Sequence, residues 1–370
     1  MNNNSVLILS HVSDLSGPTE ALEQYVRHNF TSSGSIVCPL EYCTSKTRRM
    51  RRFQNGEVVN ELVLSKFKKG KLLTWAFDFF ITLYRSWRFG RVNVIIACDP
   101  LMALPAIILK WFGRVEHLIL YSIDWSDRRF SNSIFNRFYY AIDRFILPRT
   151  DVVWCVSKTI QEIRKKQGAA HAIHVPVGVY IDQITQTVNY DKNILVFLGA
   201  FEKTKGIELL IEIWPDILKI NPEAKLICIG KTPKDVTDIP YEKQLQQLDR
   251  VECIGVLEHQ EILNILPKFG VGLAPYSSDS HSISKYADPS RVKDYLGCGL
   301  PVLITDVPPI HLEIQNKNGG VVCNFNKNSI ITALQTIWLN YGSYRACVKH
   351  FVNELDWKKI FTRAFSESTL

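Results

Sequence analysis

Twelve short apolar runs punctuate this chain of 370 residues, and stretches with helical spacing separate them. In the first half the runs are SVLILSHV (5–12), SIVCPL (35–40), VNVIIAC (92–98), HLILYSI (117–123), DVVWCVS (151–157) and AIHVPV (172–177). In the second half they are NILVFLG (193–199), AKLICIG (224–230), VECIG (251–255), VGLAPY (271–276), LPVLIT (300–305) and GVVCNF (320–325). A strand with one wet face alternates polar and apolar residues. A continuous apolar run is dry on both faces, as in parallel sheets covered by helices. The alternation of such runs with helices predicts an α/β fold. A single core rarely grows past ~250–300 residues, so two are expected. The polar segment IDQITQTVNYDK (181–192) is the expected linker between an N-terminal domain, 1–180, and a C-terminal domain, 193–348. Each domain reads as a doubly wound, Rossmann-like unit. Such sheets bind ligands beyond the carboxyl ends of their strands, so the site is expected in a cleft between facing domains.

Hydrophobic residues make up 46% of the chain and charged residues 22%, too apolar for a disordered tract. The nine Cys are scattered without a CxxC pair. Neither a disulfide framework nor a zinc ribbon is expected, and a reducing cytoplasm suits them. The opening MNNNSVLILSHV lacks a basic start and a cleavable apolar segment, so no secretory signal is expected. LLTWAFDFFITLY (72–84) is shorter than the ~20 residues that cross a bilayer, and Asp78 interrupts it. Within it Thr74, Asp78, Thr82 and Arg85 form a narrow polar stripe at helical spacing.

Charge is lopsided. Residues 1–190 hold 24 Lys and Arg against 15 Asp and Glu, a net +9, while residues 191–370 hold 20 against 21. The excess concentrates in residues 46–91, with 12 basic residues, three acids and interleaved aromatics from Phe53 to Trp87. A basic segment beside aromatic-apolar helices suits an anionic membrane surface. The same pattern also fits a buried helix whose charges only solvate one face. No nucleic-acid-binding module accompanies the patch, so nucleic acid is not an expected partner.

The second half carries ordered landmarks. They are VFLGAFEKTKGIELLIEIW, LICIGK, VECIGVLEHQEILNILPKFGVGLAPY and DPSRVKDYLGCGLPVLITDVPPIHLEI. This order resembles the GT-B fold glycosyltransferases, in particular the retaining family 4 (group 1) enzymes. DVVWCVSKTIQEI followed by VPVGVYID resembles the end of the family's N-terminal domain. LDWKKIFTRAF resembles its last helix, which implies that residues 349–370 cross back to the N-terminal domain. The resemblance spans roughly residues 92–365. It implies two Rossmann-like domains facing across a cleft and transfer of a sugar from a nucleotide-sugar donor, with retention, to a glycan or lipid-linked acceptor. Polysaccharide or cell-envelope glycan synthesis is the implied setting, in the cytoplasm or at the inner face of its membrane. No cofactor and no essential metal are implied. A sugar-nucleotide epimerase of the same fold, or a catalytically impaired GT-B binding protein, are the competing readings.

The motifs assign residues to that chemistry. In GAFEKTKG a strand ends at Gly199 and a helix begins near Gly206, and free N–H groups at a helix N-terminus favour a diphosphate. Lys203 and Lys205 add full charge there. The family usually has an Arg after the first glycine; here Ala200 stands in its place, so Lys203 or Arg291 is the expected substitute. Asp294 matches the family's ribose-binding carboxylate. Tyr286 stands where a second carboxylate lies near the donor sugar, and Asp288 is close enough in sequence to replace it or simply to form the turn before Pro289. Val256 and Leu257 occupy the base-binding loop. In the first half, Asp124 of YSIDWSD is the candidate catalytic acid or else a helix cap. Ile123 takes the place of a His often found before it. Gly17, in SGPTE, forms the first strand-to-helix turn and is a further donor-side candidate, or an ordinary turn glycine.

Overall fold

A computed structural model describes the chain except residues 1, 13–16, 41–42, 44–46, 68, 186–188, 234–239, 280–282 and 369–370. Two compact units are present, Met1–Pro176 with Ile360–Leu370, and Val177–Lys359. All twelve apolar runs form strands, and two further strands join them.

The first unit runs β1 (Asn2–Val12), α1 (Pro18–Asn29), β2 (Phe30–Pro39), β3 (Arg48–Gln54), β4 (Glu57–Ser65), α2 (Lys71–Phe89), β5 (Val92–Ala97), α3 (Pro100–Trp111), β6 (Val115–Ser122), α4 (Ser133–Ile146), β7 (Val152–Cys155), α5 (Lys158–Lys166) and β8 (Ala172–His174). Its eight-stranded sheet has the order β4-β3-β2-β1-β5-β6-β7-β8. Neighbours from β2 through β1 to β8 are parallel. The hairpin β3–β4 is antiparallel and extends the sheet beyond β2.

That hairpin bears on residues 46–91, for which the sequence leaves open a basic membrane-facing segment or a buried helix with solvated charges. β3 reads RRMRRFQ, yet its arginines are largely consumed by the fold. Arg48 is buried, pairs with Asp78 of α2, and donates to the Phe67 carbonyl. Arg51 meets Glu23 at 2.9 Å, and Arg52 donates to the Phe89 carbonyl at 2.5 Å. Lys46 and Lys68 lie outside the described residues. The polar stripe of α2 is its buried face: Thr74, Asp78, Thr82 and Ser86 point inward. Its apolar residues Leu72, Leu73, Phe80, Tyr84 and Trp87 are exposed. This reverses the usual amphipathic rule for surface helices.

The second unit runs β9 (Ile194–Leu198), α6 (Ile207–Ile220), β10 (Lys225–Ile229), α7 (Tyr241–Leu245), β11 (Val251–Gly255), α8 (His259–Ile265), β12 (Val271–Ala274), α9 (Ser290–Gly297), β13 (Val302–Thr305), α10 (His311–Asn316), β14 (Gly320–Cys323), α11 (Lys327–Leu339) and α12 (Tyr341–Val352). Its six strands are all parallel in the order β11-β10-β9-β12-β13-β14. Renumbered within the unit this is 3-2-1-4-5-6, the Rossmann order, which reverses direction at β9 and β12. Two apolar clusters, one centred on Tyr295 and Leu296 and one on Trp214 and Phe197, form its core.

The last helix, α13 (Trp357–Glu367), carries Phe361 and Phe365 onto Trp154 of β7, and the Trp154 indole donates to the Ser368 hydroxyl at 2.9 Å. Trp154 and Phe361 are fully buried, and each such side chain contributes roughly 1.5–3 kcal/mol. A patch of this size explains why Ile360–Leu370 belongs with the first unit.

Candidate functional site

In the second unit the carboxyl end of β9 gathers groups from three separate segments. β9 ends at Gly199, whose φ of +119° suits glycine. A single 3-10 turn, Lys203–Lys205, leads into α6 through Gly206. Gly206 has φ +85°, and a Cβ there would lie 1.9 Å from the Pro275 carbonyl oxygen. The loop can approach β12 this closely only with glycine at that position. From α9, Arg291 reaches back to the end of β9. Its Nη1 donates to the Leu198 carbonyl at 3.1 Å and its Nε to the Tyr276 hydroxyl at 2.8 Å. Tyr295, one turn further on, accepts from the Leu198 amide at 2.7 Å and so braces the same strand end.

Lys205 lies close to these groups, its ammonium 5.3 Å from the Tyr276 ring, with the Arg291 guanidinium 4.2 Å from the same ring. Burial lowers the Lys205 pKa, and the neighbouring Arg291 charge lowers it further, to about 8, against an opposing pull from Glu202. The Arg291 Nη2 is buried with no hydrogen-bond partner. Two cations held together without a carboxylate between them form a site that an anion would relieve. Lys203 lies apart from this pair. It is exposed and sits 3.8 Å from Glu208. Of the two residues expected to replace the cation missing at Ala200, Arg291 is the one that adjoins Lys205.

Asp294 is buried on α9, and its Oδ1 lies 3.1 Å from the Nε2 of His259, the first residue of α8. His259 was not among the residues the motifs assigned, although it stands in the loop LEHQEI. That loop leaves β11 at Gly255, with Val256 exposed and Leu257 packed against the core. Tyr286 follows the 3-10 turn Ile283–Lys285, and the Lys285 ammonium lies 4.9 Å from its ring. Asp288 does not remain available for a sugar. It is buried, pairs with Lys293 at 3.2 Å and accepts from the Val177 amide at 2.8 Å. Freeing this carboxylate would strand the buried Lys293 charge, so the turn-and-fold reading replaces the sugar-contact reading.

In the first unit, Gly17 caps α1 by its carbonyl, which accepts from Glu20 and Ala21. Its backbone is extended at φ −167°, and a Cβ would meet nothing within 4 Å, so glycine is not sterically required. Asp124 follows β6, is two-thirds exposed, and is held by both terminal nitrogens of Arg129 at 2.6 and 3.0 Å. It lines a small cavity with Asp99, Ser122, Trp125, Arg129 and Arg164. Asp124 is therefore neither a helix cap nor an isolated acid.

No sequence motif announces the cluster at the end of β1. His11 lies between two carboxylates, with Nδ1 2.9 Å from Asp99 and Nε2 3.5 Å from Asp78. Burial alone would lower the His11 pKa. The Asp99 charge and hydrogen bond, with the nearby Asp78 carboxylate, outweigh that and raise it to about 10. Asp99 also caps α3, accepting from the Leu101 and Met102 amides. Burial would raise the Asp99 pKa, but the His11 charge and hydrogen bond hold it below its ordinary value. With Arg48 against Asp78, two cations face two carboxylates. Among the described residues, no group of three or more His, Cys, Asp or Glu is arranged to hold a metal ion.

A Rossmann sheet ending in a glycine-flanked cation pair, in a chain with a second α/β unit, defines the GT-B class of fold. Residues 192–340 match the family described as Glycosyl transferases group 1, and the chain as a whole resembles that group. A phosphatidylinositol N-acetylglucosaminyltransferase polypeptide of Homo sapiens is 25% identical over 146 residues, covering 40% of this chain and 28% of that protein. An uncharacterized glycosyltransferase of Methanocaldococcus jannaschii is 24% identical over 233 residues, covering 62% of this chain and 61% of its own length. The match therefore spans less than two thirds of either relative. The crystal structure of HepE from Anabaena in complex with UDP aligns with TM-score 0.71 at 13% identity, over 99% of this chain and 100% of that one. At that identity the likeness concerns fold.

Proposed function

We propose that this protein is a nucleotide-sugar-dependent glycosyltransferase. The observation that carries the reading is half-buried Lys205 beside buried Arg291, uncompensated by any carboxylate within ion-pair distance among the described residues, with an unpartnered Arg291 nitrogen. A nucleoside diphosphate supplies the missing negative charge, and the glycines at 199 and 206 let backbone approach it closely. Asp294, presented with His259, receives the ribose hydroxyls. Val256 offers an apolar surface to the base, and Tyr286 lies on the sugar side. In the transfer, the bond from the sugar's anomeric carbon to the diphosphate oxygen breaks. An acceptor hydroxyl oxygen bonds to that carbon, and its proton passes to the departing phosphate. Lys205 and Arg291 stabilise the charge that develops on the leaving group. Entry of the acceptor on the face that the diphosphate leaves gives retention, with no metal required.

Asp124, two-thirds exposed beside Arg129 and Trp125, is the first-unit residue that this reading sets toward an acceptor hydroxyl. The acceptor class is a glycan or a lipid-linked glycan precursor of an envelope or extracellular polysaccharide, reached at the inner face of a membrane. A thermal-shift panel of sugar nucleotides tests the donor, since a ligand bound only by the folded state at ~100 times its Kd adds about 2.7 kcal/mol. Product analysis with the best donor then separates new glycoside formation from donor isomerisation and from binding without turnover. Unchanged donor binding in Arg291→Met and Lys205→Met would sink the assignment.

A further inference from the structure

The outward face of α2 has no explanation in the donor site. Its buried side is polar because it receives Arg48 and His11, and this drives its apolar residues to the surface. Leu73, Phe80, Tyr84 and Trp87 recur at helical spacing along about 21 Å of helix. Each is more than 40% exposed. The stripe continues sideways. The Trp87 ring meets Phe112 just beyond α3 at 5.7 Å, and Trp111 at the end of α3 meets Phe145 of α4 at 6.5 Å. Trp111 and Phe112 are about two-thirds exposed. Monomeric surfaces rarely expose a contiguous aromatic patch of this kind without a use for it.

Charge selects the occupant. Helices α2, α3 and α4 contain six basic residues, Lys71, Arg85, Arg88, Lys110, Arg137 and Arg144, and only two carboxylates. Both carboxylates are buried: Asp78 pairs with Arg48, and Asp143 with Arg164. Lys110 is paired with Asp151 at 2.5 Å, and the other five cations meet no acid supplied by the three helices. Arg114 lies 4.4 Å from the Trp87 ring and Arg149 3.9 Å from Phe145, so cations border the aromatic patch. The other exposed apolar element of this unit, β4, differs, because Glu57 and Glu61 interrupt its valines. An isologous contact with a second copy would set cation against cation. No helix among the described residues is long and apolar enough to cross a membrane.

We infer that the α2–α3–α4 face docks on an anionic lipid bilayer, with α2 lying in the plane of the headgroups and its aromatic stripe in the acyl boundary. The inference rests on the proposed transferase reading only in naming why a lipid surface would be visited, namely to reach a lipid-linked acceptor.

Vesicle flotation tests it, using phosphatidylcholine alone and phosphatidylcholine mixed with phosphatidylglycerol. The expected result is binding to the mixed vesicles alone, weakened by salt. Loss of more than about tenfold is expected in the double variant Phe80→Ser with Trp111→Ser. A loss of about fivefold is expected for each of Arg88→Ser and Arg144→Ser. A retained thermal shift with the donor nucleotide establishes that these variants are folded. Absence of binding to mixed vesicles, or equal binding by wild type and variants, overturns the inference. So does a dimer that the same variants dissolve without any vesicle binding. Vesicle binding without a donor-nucleotide shift sinks the transferase reading and leaves the membrane face standing. A donor-nucleotide shift without vesicle binding does the reverse.

Discussion

Both units gather charge at the carboxyl ends of their central strands, and they treat it in opposite ways. In the first unit His11 and Arg48 face Asp99 and Asp78, so each cation has its acid. In the second unit Lys205 and Arg291 adjoin one another, with no carboxylate at ion-pair distance from either among the described residues. The signs of the shifts record the difference: His11 is raised to about 10 and Lys205 is lowered to about 8. A compensated cluster holds a fold together, whereas an uncompensated one costs stability until a ligand completes it.

The contrast breaks most visibly at Asp78. Asp78→Ala leaves Arg48 buried without its partner and should destabilise the protein by ~3–5 kcal/mol in urea unfolding. The double variant Arg48→Met with Asp78→Leu should recover most of that loss. If Asp78→Ala costs under about 1 kcal/mol, the cluster is not holding the fold.

The opposite cluster should respond in binding. Arg291→Met removes a charged donor and should weaken UDP binding by about 10- to 100-fold in calorimetry, at a stability cost below that of Asp78→Ala.

pH sharpens the contrast. An unfolded His releases its proton near ~6.5, so the stabilisation from His11 is full below that pH and fades as pH rises to about 10. An unfolded Lys holds its proton to ~10.4. The charge on Lys205 therefore costs stability below about 8, and that cost is relieved between about 8 and ~10.4. In thermal melts across this window, His11→Asn should remove a downward slope and Lys205→Met an upward one. UDP affinity should fall above about 8 in the wild type and lose that dependence in Lys205→Met. Identical slopes in both variants would contradict the assignment. The smallest effect is expected at Lys203, whose exposed pairing with Glu208 at 3.8 Å should make Lys203→Ala neutral within ~0.5 kcal/mol.

Legibility followed locality. Each apolar run became a strand because burial on both faces is written in consecutive residues. β3 and β4 were hidden because RRMRRFQ and EVVNELVLS lack such a run. β4 is exposed along most of its length, and β3 is held by antiparallel pairing and by distant acceptors such as the Phe89 carbonyl. The site divided the same way. The glycines and lysines of GAFEKTKG and the Arg and Asp of DPSRVKDY were readable as a pattern. Asp288 was readable only as an available acid, and its commitment to Lys293 needed the folded helix. His11 and Asp99 stand 88 residues apart, a spacing that no local rule joins. Asp99 did carry one signal, an Asp before Pro at a strand end, which reads as a helix cap.

By itself the sequence determined the apolar strands, the helices between them and the glycines at 199 and 206, while the expected linker 181–192 falls inside the second unit. Only the tertiary structure decided which charges are spent on the fold and which remain for a ligand. Hydrophobic burial is a property each residue declares with its neighbours in the chain. Charge compensation belongs to pairs of residues, and the chain reveals its pairs only when it closes on itself.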